Sequence, residues 1–265
     1  MGWVDATSCA RVTLAPGRLR ITDMDAPQLT GAPPWHVDRP VMTQGWRDLA
    51  YVHWPVNPEA VSRSLPPDLR PDTFDGRAWV GLVPFRMEDI AAPRTPPIPW
   101  LGTFPETNIR TYVVGPEGPG VWFHSLDITR LLPVLVAQAT YRLPYAWSRM
   151  SIEQRGDLRI YTTRRRWPGP RGTASLLRLR IDAPISDPTD FEHFLSARWG
   201  LYTQLGTRLA FARVSHEPWP LHRATVIDLT DELHQSAGYP GPTDDLHAMW
   251  SPGVDVRVAI PRFVG

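Results

Sequence analysis

The stretch FPETNIRTYVVGPEGPGVWFHSLDI, residues 104–128, decides the fold class of this chain. Two runs rich in β-branched and aromatic residues flank the turn sequence PEGP, which predicts a β-hairpin. Because successive side chains of a strand point to opposite faces, Glu106, Asn108 and Arg110 share one face of the first strand. A carboxyl, an amide and a guanidinium in one row indicate either a solvated face or the polar floor of a pocket.

Strand-like segments continue on both sides of this hairpin, and two or three helices interrupt them. Strand character is found at residues 46–56, 74–90, 151–167, 173–181, 207–229 and 253–263. Helices are predicted at residues 57–69, 128–141 and 186–202. We expect Asn57 to cap the first helix and Asp187 to cap the last. Many antiparallel strands with a few separate helices indicate an α+β fold.

The composition is that of an ordinary globular protein. The 265 residues are 42% hydrophobic and 21% charged, and the formal net charge is +1. So small a net charge gives no global field that would recruit nucleic acid or anionic lipid, and we expect neither as a partner. We expect residues 1–40 to form a loosely structured extension and residues 41–265 to form a single domain.

Lysine is missing from the sequence, because all 28 basic residues are arginine. No side chain can therefore form a Schiff base with a carbonyl substrate or with pyridoxal phosphate. A P-loop lysine is excluded for the same reason.

The cellular compartment is predicted from what the sequence lacks. Cys9 is the single cysteine, which excludes disulfides within the chain and thiolate metal clusters. No apolar run approaches roughly 18 residues, and the first residues lack the apolar core of a signal peptide. We therefore expect a cytoplasmic protein that does not span a membrane.

Five segments, taken in order, resemble a known family. They are WRDLAYVHWPVNPEAVSRSLPPDL (46–69), FDGRAWVGLVPFRM (74–87), FPETNIRTYV (104–113), GVWFHSLDI (120–128) and LPYAWSRM (143–150). Together they resemble the YqjF-like family of uncharacterised bacterial proteins, which is grouped with the acetoacetate decarboxylase-like superfamily. The resemblance runs from about Thr43 to about Val258. It implies a cone-shaped antiparallel β-barrel with two or three flanking helices and a buried cavity, and it implies no particular reaction.

The segment LPYAW departs from the pattern of this superfamily. Acetoacetate decarboxylases carry a Gly-Tyr-Pro-Lys-Lys-like motif, whose first lysine forms the imine with the substrate. Pro144 resembles the proline of that motif, which places Tyr145 where the imine lysine would be and Ala146 where the second lysine would be. The superfamily also uses a cavity glutamate, and Glu106 in FPETNIR resembles it. The resemblance therefore implies a cavity with a carboxyl group and without Schiff-base decarboxylation.

Three residues are candidates for catalysis. Glu106 is the candidate general acid or base, and Tyr145 is the candidate hydrogen-bond donor to a substrate carbonyl or enolate. His124, on the second strand of the hairpin, is a further candidate acid or base near neutral pH. Each has a structural alternative: a buried polar network around Glu106, a satisfied core phenol for Tyr145, and a strand-end histidine bonded to the backbone for His124.

Four residues are candidates for substrate binding. Arg110 and Arg149 can bind a carboxylate bidentately, and Asn108 can bridge Glu106 and Arg110, so that Arg110 helps to neutralise the glutamate. Arg86 can bind an anion in the same way. A surface ion pair is the structural alternative for Arg149 and for Arg86.

The sequence predicts no metal site and no organic cofactor, since the eight histidines form no H-x-x-x-H or HExxH pattern. Two functions stay open. The first is a cofactor-independent enzyme that transfers protons next to a carbonyl or carboxylate group, of the lyase, dehydratase, isomerase or cyclase type. The second is a non-catalytic protein that binds or senses a small molecule in the same cavity. The partner is a small molecule in both, and the sequence leaves open whether identical chains associate.

Overall fold

The computed structural model describes residues 30–97, 102–130, 143–243 and 245–264, and most of their regular structure is β-strand. The strands are β1 (Met42–Val56), β2 (Arg70–Pro71), β3 (Ala78–Ala91), β4 (Phe104–Gly115), β5 (Gly118–Ile128), β6 (Tyr145–Arg155), β7 (Leu158–Trp167), β8 (Ala174–Pro184), β9 (Gly200–Leu205), β10 (Arg208–His216), β11 (His222–Asp231), β12 (His247–Val258) and β13 (Arg262–Phe263). The helices in these ranges are α1 (Pro58–Ser62), α2 (Asp190–Ser196) and α3 (Leu233–Ser236). The longest has seven residues, so no helix in the described ranges can cross a membrane.

All of these strands belong to one sheet, and the sheet forms two closed rings. The two rings have five strands in common, in the order β5-β4-β3-β1-β12, which we call the shared wall. Strands β6, β7, β8 and β11 connect its two edges into a nine-stranded barrel. Strands β9 and β10 connect the same two edges into a seven-stranded ring. Closure pairs the edges that an open sheet would leave exposed.

Both faces of the shared wall are buried, because each face packs against other parts of the fold. One face lies inside the nine-stranded barrel, where Val52 and Leu82 pack in a cluster with Leu179 of β8. The other face packs towards β9 and α2, in a cluster that includes Phe85 and Phe194. In β3 the residues divide between these clusters by the alternation that the sequence predicts.

The closed β-barrel with flanking helices that is expected from the sequence is present, with one difference in strand direction. The hairpin at residues 104–128 forms as predicted, with β4 and β5 antiparallel down to the Gly115–Gly118 pair. However, β5 pairs in parallel with both β6 and β9, so the sheet is mixed and not wholly antiparallel. Parallel neighbours need a long crossover connection, and the chain has room for one, because β5 ends at Ile128 and β6 begins at Tyr145.

The helix starts agree with the sequence in one case and differ in another. Asn57 caps α1 as predicted, and its Oδ1 accepts from the Glu59 N–H at 2.8 Å. The predicted cap of α2, Asp187, is wrong, because α2 is capped by Thr189 in a capping box with Glu192. Thr189 has a glutamate three residues later, which the capping box requires and Asp187 lacks.

Some sequence predictions fall on residues outside the described ranges. These include most of the helix predicted at 128–141, of which Ile128 is the last residue of β5, and residues 1–29 of the predicted extension. Within the described part of that extension, Val37 is buried and its N–H donates to Ser215 Oγ at 3.2 Å. The division of the chain at residue 40 stays a prediction.

Candidate functional site

A buried row of polar side chains lies on the face of the shared wall that packs towards β9 and α2; we call it the polar wall. Its members are Tyr51 and His53 of β1, Trp79 of β3, and Glu106, Asn108, Arg110 and Tyr112 of β4. The strand register aligns them, and Gly81 of β3 stands between His53 and Arg110. The side chains of Glu106, Asn108 and Arg110 therefore do share a face, and that face is buried and not solvated.

At one end of the polar wall, Arg110 belongs to a hydrogen-bonded cluster. Its Nη2 donates to Tyr112 Oη and to the carbonyl of Leu195 in α2, both at 3.2 Å. Tyr112 Oη donates to the same carbonyl at 2.5 Å, and His53 Nε2 lies 2.7 Å from Tyr112 Oη. The guanidinium also lies 5.3 Å from the ring centroid of Tyr51. Arg110 is thus a buried cation that has no carboxylate partner among the described residues.

These contacts fix where His53 carries its proton. Tyr112 gives its single proton to the Leu195 carbonyl, so its oxygen can only accept from His53 Nε2. His53 Nδ1 is then a buried acceptor, and no described residue bonds to it. Burial, followed by the charge of Arg110, lowers the pKa of His53 well below its usual value, so the imidazole is neutral at physiological pH.

A buried ion pair positions the helix end that meets this cluster. Arg198 Nη1 donates to Asp72 Oδ2 at 2.5 Å, and Arg198 Nε donates to the Phe194 carbonyl at 2.8 Å. The same guanidinium lies 4.5 Å from the ring centroid of Tyr112. Since Phe194 adjoins Leu195, the ion pair fixes the carbonyl that accepts from Arg110 and Tyr112.

At the other end of the polar wall, Glu106 is a buried carboxyl group. Burial raises the pKa of Glu106 to about 8; a hydrogen bond from Asn108 opposes the rise, and the charge of Asp127 adds to it. Burial also raises the pKa of Tyr145 well above its usual value, and the nearby charge of Glu106 raises it further. At neutral pH the carboxyl is therefore mostly protonated, and the phenol beside it keeps its proton throughout.

The predicted neutralisation of Glu106 by Arg110 is wrong. The guanidinium makes its hydrogen bonds to Tyr112 and Leu195, and Arg110 is not among the groups that shift the pKa of Glu106. Four residues of extended strand separate the two Cα atoms by about 13 Å. The carboxyl and the guanidinium are therefore two separate ends of one surface.

Unpaired polar atoms are concentrated on the polar wall. Six of its buried atoms have no hydrogen-bond partner among the described residues: Tyr51 Oη, His53 Nδ1, Trp79 Nε1, Glu106 Oε2, Asn108 Oδ1 and Arg110 Nε. Buried polar atoms are nearly always paired, and each unpaired one costs roughly 1–3 kcal/mol. A single face that gathers donors and acceptors at this cost is typical of a surface that recognises a polar ligand.

Gly81 provides a test of how tightly the polar wall is packed. A Cβ atom at this position would lie 2.4 Å from His53 Nε2, so Gly81→Ala must displace the imidazole and break its bond to Tyr112. We expect a loss of about 1–3 kcal/mol in the free energy of unfolding, measured by urea denaturation. In a His53→Ala background the same substitution should cost much less. An equal cost in both backgrounds would show that the imidazole is not what the new methyl group meets.

Two predicted site residues lie away from the polar wall. His124 Nε2 lies 2.8 Å from Tyr239 Oη, and burial lowers the pKa of His124 to about 4, so it cannot act as a base that titrates near neutral pH. A β-bulge explains its position, because the β4–β5 register jumps over His124. Arg86 pairs instead with Asp48 at 2.8 Å and Glu88 at 2.5 Å, so it contributes to a structural ion-pair network.

The other predicted residues divide between the polar wall and the surface. Tyr145 lies beside Glu106, whereas Arg149, four residues later on β6, is exposed and borders a separate surface cleft. Four members of the polar wall are not among the residues predicted from the sequence: Tyr51, His53, Trp79 and Tyr112. The alternation on β4 does continue to Tyr112, so the sequence held a signal for that residue.

The polar wall offers few ligands for a metal ion. It has one carboxyl group and one imidazole, which are fewer than the three protein ligands of a typical catalytic zinc site. Within the described ranges, no group of three or more His, Cys, Asp or Glu side chains is arranged to hold a metal ion.

Solved structures of enzymes share this fold. Acetoacetate decarboxylase from Legionella pneumophila has a TM-score of 0.59 at 14% identity, over 89% of this chain and 92% of that one. The enduracididine biosynthesis enzyme MppR, complexed with pyruvate, has a TM-score of 0.57 at 13% identity, over 88% of this chain and 93% of that one. An acetoacetate decarboxylase-like enzyme from Sphingomonas wittichii RW1 has a TM-score of 0.56 at 10% identity, over 89% of this chain and 100% of that one. Likeness at these identities shows the fold alone.

Comparisons of sequence identify the family. The uncharacterized protein YqjF of Bacillus subtilis (strain 168) is 32% identical over 206 residues, which cover 77% of this chain and 85% of that protein. A family model, DUF2071, described as an uncharacterized conserved protein, matches residues 43–255. This range agrees with the resemblance seen from about Thr43 to about Val258. The chain therefore belongs to the DUF2071 family, and YqjF is one of its relatives.

Proposed function

We propose that this protein is a cofactor-independent enzyme that transfers protons next to the carbonyl group of a small carboxylic acid. The reaction would be of the lyase, dehydratase, isomerase or cyclase type. The observation that carries the proposal is the composition of the polar wall. It combines a buried carboxyl group whose pKa is raised to about 8, Glu106, with a buried guanidinium, Arg110, that no described carboxylate neutralises.

Arg110 is the group that would bind the carboxylate of the substrate. Its Nη2 is committed to Tyr112 and Leu195, which fixes the plane of the guanidinium, and its Nε–H has no partner among the described residues. A substrate anion at this end would supply the negative charge that the buried cation lacks. Tyr51 Oη and His53 Nδ1 add further unpaired polar atoms at the same end.

Glu106 is the group that would move the proton. A carboxyl with a pKa of about 8 is a stronger base, when ionised, than an ordinary glutamate, and its ionised fraction at neutral pH is still appreciable. Tyr145 remains protonated beside it and can donate a hydrogen bond to the enolate that forms when the proton leaves carbon. Together these roles give enolisation without a Schiff base, in a chain that has no lysine.

The class of substrate is taken from the chemistry of the site and from a structural neighbour. A guanidinium and a separate acid–base pair suit an acid that also carries a carbonyl group, such as a 2-oxo acid. MppR, which shares the fold, has been solved with pyruvate, a 2-oxo acid. Pyruvate and longer oxo acids are therefore the compounds to test, and the longer ones suit the separation of Arg110 and Glu106 along the polar wall better.

The test is the exchange of carbon-bound hydrogen with solvent. The protein is incubated in D₂O with pyruvate, 2-oxobutyrate, 2-oxoglutarate or levulinate, and the signal of the hydrogens next to the carbonyl is followed by ¹H NMR. We expect at least one acid to lose this signal much faster than in a protein-free control. Saturable binding of an acid without faster exchange would favour the non-catalytic alternative, a protein that binds or senses the acid. Neither binding nor exchange with any of the four acids would count against the proposed substrate class.

A further inference from the structure

A surface cleft on β6 and β7 is rich in arginine and has no acidic residue in its lining; we call it the arginine cleft. Its volume is about 890 Å³, and its lining residues are Trp147, Arg149, Arg164, Arg165, Arg166, Trp167, Arg171 and Gly172. Ligand pockets for small molecules span a similar range of volume. The arginine cleft is separate from the polar wall and takes no part in the proposed reaction.

Only one of the five arginines is neutralised by a carboxylate in the described ranges. Arg165 is buried and binds Asp127 through two hydrogen bonds, from Nε at 2.9 Å and from Nη2 at 2.5 Å. The other four, which are exposed, make no ion pair with any described residue: Arg149, Arg164, Arg166 and Arg171. The cleft therefore holds about four uncompensated positive charges in a protein whose net charge is only +1.

Two of these charges stand directly opposite each other. Arg149 on β6 and Arg164 on β7 are cross-strand partners in an antiparallel pair. Like charges in this arrangement destabilise a sheet, and an anion bound between them would remove the repulsion. The two guanidinium groups therefore repel each other, and a bound anion would relieve this repulsion.

The strands beneath the cleft are anchored to the core. The Arg165–Asp127 pair anchors β7 to the core, and Ser148 Oγ of β6 donates to the same carboxylate at 2.6 Å. The backbone N–H of Gly172 donates to the Arg165 carbonyl at 2.9 Å, which ties the loop that carries Arg171 to the end of β7. These contacts fix the backbone positions from which the exposed arginines extend.

Aromatic rings border the charged groups. The guanidinium of Arg166 lies 4.9 Å from the ring centroid of Trp147, and Trp167 is 41% exposed. Guanidinium groups pair with phosphate through two parallel hydrogen bonds, and a phosphate carries more charge than a carboxylate. We propose that the arginine cleft binds a phosphorylated small molecule.

A small molecule fits these observations better than a nucleic acid does. The cleft is a local concentration of charge, and the net charge of +1 leaves no general basic character to follow a phosphate backbone. The proposal does not depend on the proposed function, because a phosphate site on this surface can exist whatever the polar wall does.

The test is calorimetric titration of the whole protein with inorganic pyrophosphate at low ionic strength. We expect saturable binding of one pyrophosphate per chain, and we expect Arg149→Gln and Arg164→Gln each to weaken it by about tenfold or more. The matched control is Arg178→Gln, because Arg178 is an exposed arginine of β8 with an acidic neighbour, Asp228. This control should bind as the parent does.

Folding and rival ligands are checked in the same series. Without pyrophosphate, Arg164→Gln should be at least as stable to urea as the parent, because it removes the repulsion between Arg149 and Arg164. A loss of stability would contradict this repulsion. Equal weakening by all three substitutions would overturn the proposed site. Tighter binding of a single-stranded oligonucleotide than of pyrophosphate, or binding only to vesicles of phosphatidylcholine that contain phosphatidic acid, would overturn the proposal of a soluble small molecule.

Discussion

Glu106→Gln is expected to lower the rate of enzyme-dependent hydrogen–deuterium exchange by about 10²–10⁴-fold, the usual contribution of a general acid or base. Glutamine keeps the size of the side chain and removes the group that can accept a proton from carbon. The cluster of Arg110, Tyr112 and His53 lies at the other end of the polar wall, bonds to other groups and should be unchanged. The measurement is the exchange rate by ¹H NMR, with whichever acid of the panel the parent protein turns over.

A matched substitution separates the loss of this base from the loss of a negative charge. Glu153→Gln removes an exposed carboxylate on β6, far along the strand from Tyr145, and it should exchange at the parent rate. Arg110→Met should instead raise the concentration of acid needed for half-maximal rate, because Arg110 is assigned to binding. If Glu106→Gln exchanges as fast as the parent, Glu106 is not the group that moves the proton.

The pH dependence of the same reaction has a defined direction. The ionised carboxylate is the base, and the pKa of Glu106 is raised to about 8. The rate should therefore rise with pH below about 8 and level off above it, while Tyr145 stays protonated across this range. A rate that is already constant from pH 5 would indicate a base with an ordinary carboxyl pKa.

The strand pattern of β4 could be predicted from the sequence because it depends only on local geometry. Alternation alone places Glu106, Asn108 and Arg110 on one face, but it leaves open whether that face is solvated or buried. What this face meets depends on strand order. His53 reaches Tyr112, a hydrogen-bond partner of Arg110, across β3 because Gly81 leaves room. Single-sequence patterns do not specify that β1, β3 and β4 are neighbours.

His124 and Arg86 show what the pattern of a single strand cannot predict. His124 was a candidate acid or base, but a β-bulge in β5 adds a residue at this position, and the imidazole lies against Tyr239. Arg86 was a candidate for binding an anion, but Asp48 of β1 reaches it from a neighbouring strand. The bulge arises from the pairing of two strands and leaves no mark on the residues near His124 in sequence. Arg86 also pairs with Glu88, two residues away, so the ion-pair alternative given for Arg86 could be read from the sequence.

The stability of the protein should also depend on pH through Glu106. The carboxyl has a pKa of about 8 when folded, against an ordinary value of 4.5 when unfolded. Below pH 4.5 it is protonated in both states, so it has no effect on the difference between parent and Glu106→Gln. Between these values the unfolded chain releases the proton and the folded chain retains it. The free energy of unfolding of the parent must therefore fall as pH rises, and the fall ends above about pH 8.

The difference between Glu106→Gln and the parent isolates this effect, because the other titrating groups are common to both proteins. At about 1.4 kcal/mol per pH unit, Glu106→Gln should gain about 5 kcal/mol over the parent between pH 4.5 and pH 8. The measurement is urea denaturation at intervals from pH 4.5 to 9, with Glu153→Gln as the exposed control, which should track the parent. A constant difference across this range would mean that Glu106 is ionised in the folded protein. The pKa of Glu106 would then not be raised, and the assignment of Glu106 as the base and its pH profile would both be wrong. If Glu106→Gln is more stable than the parent and no longer catalyses hydrogen–deuterium exchange, the carboxyl group lowers the stability of the fold and is needed for the reaction.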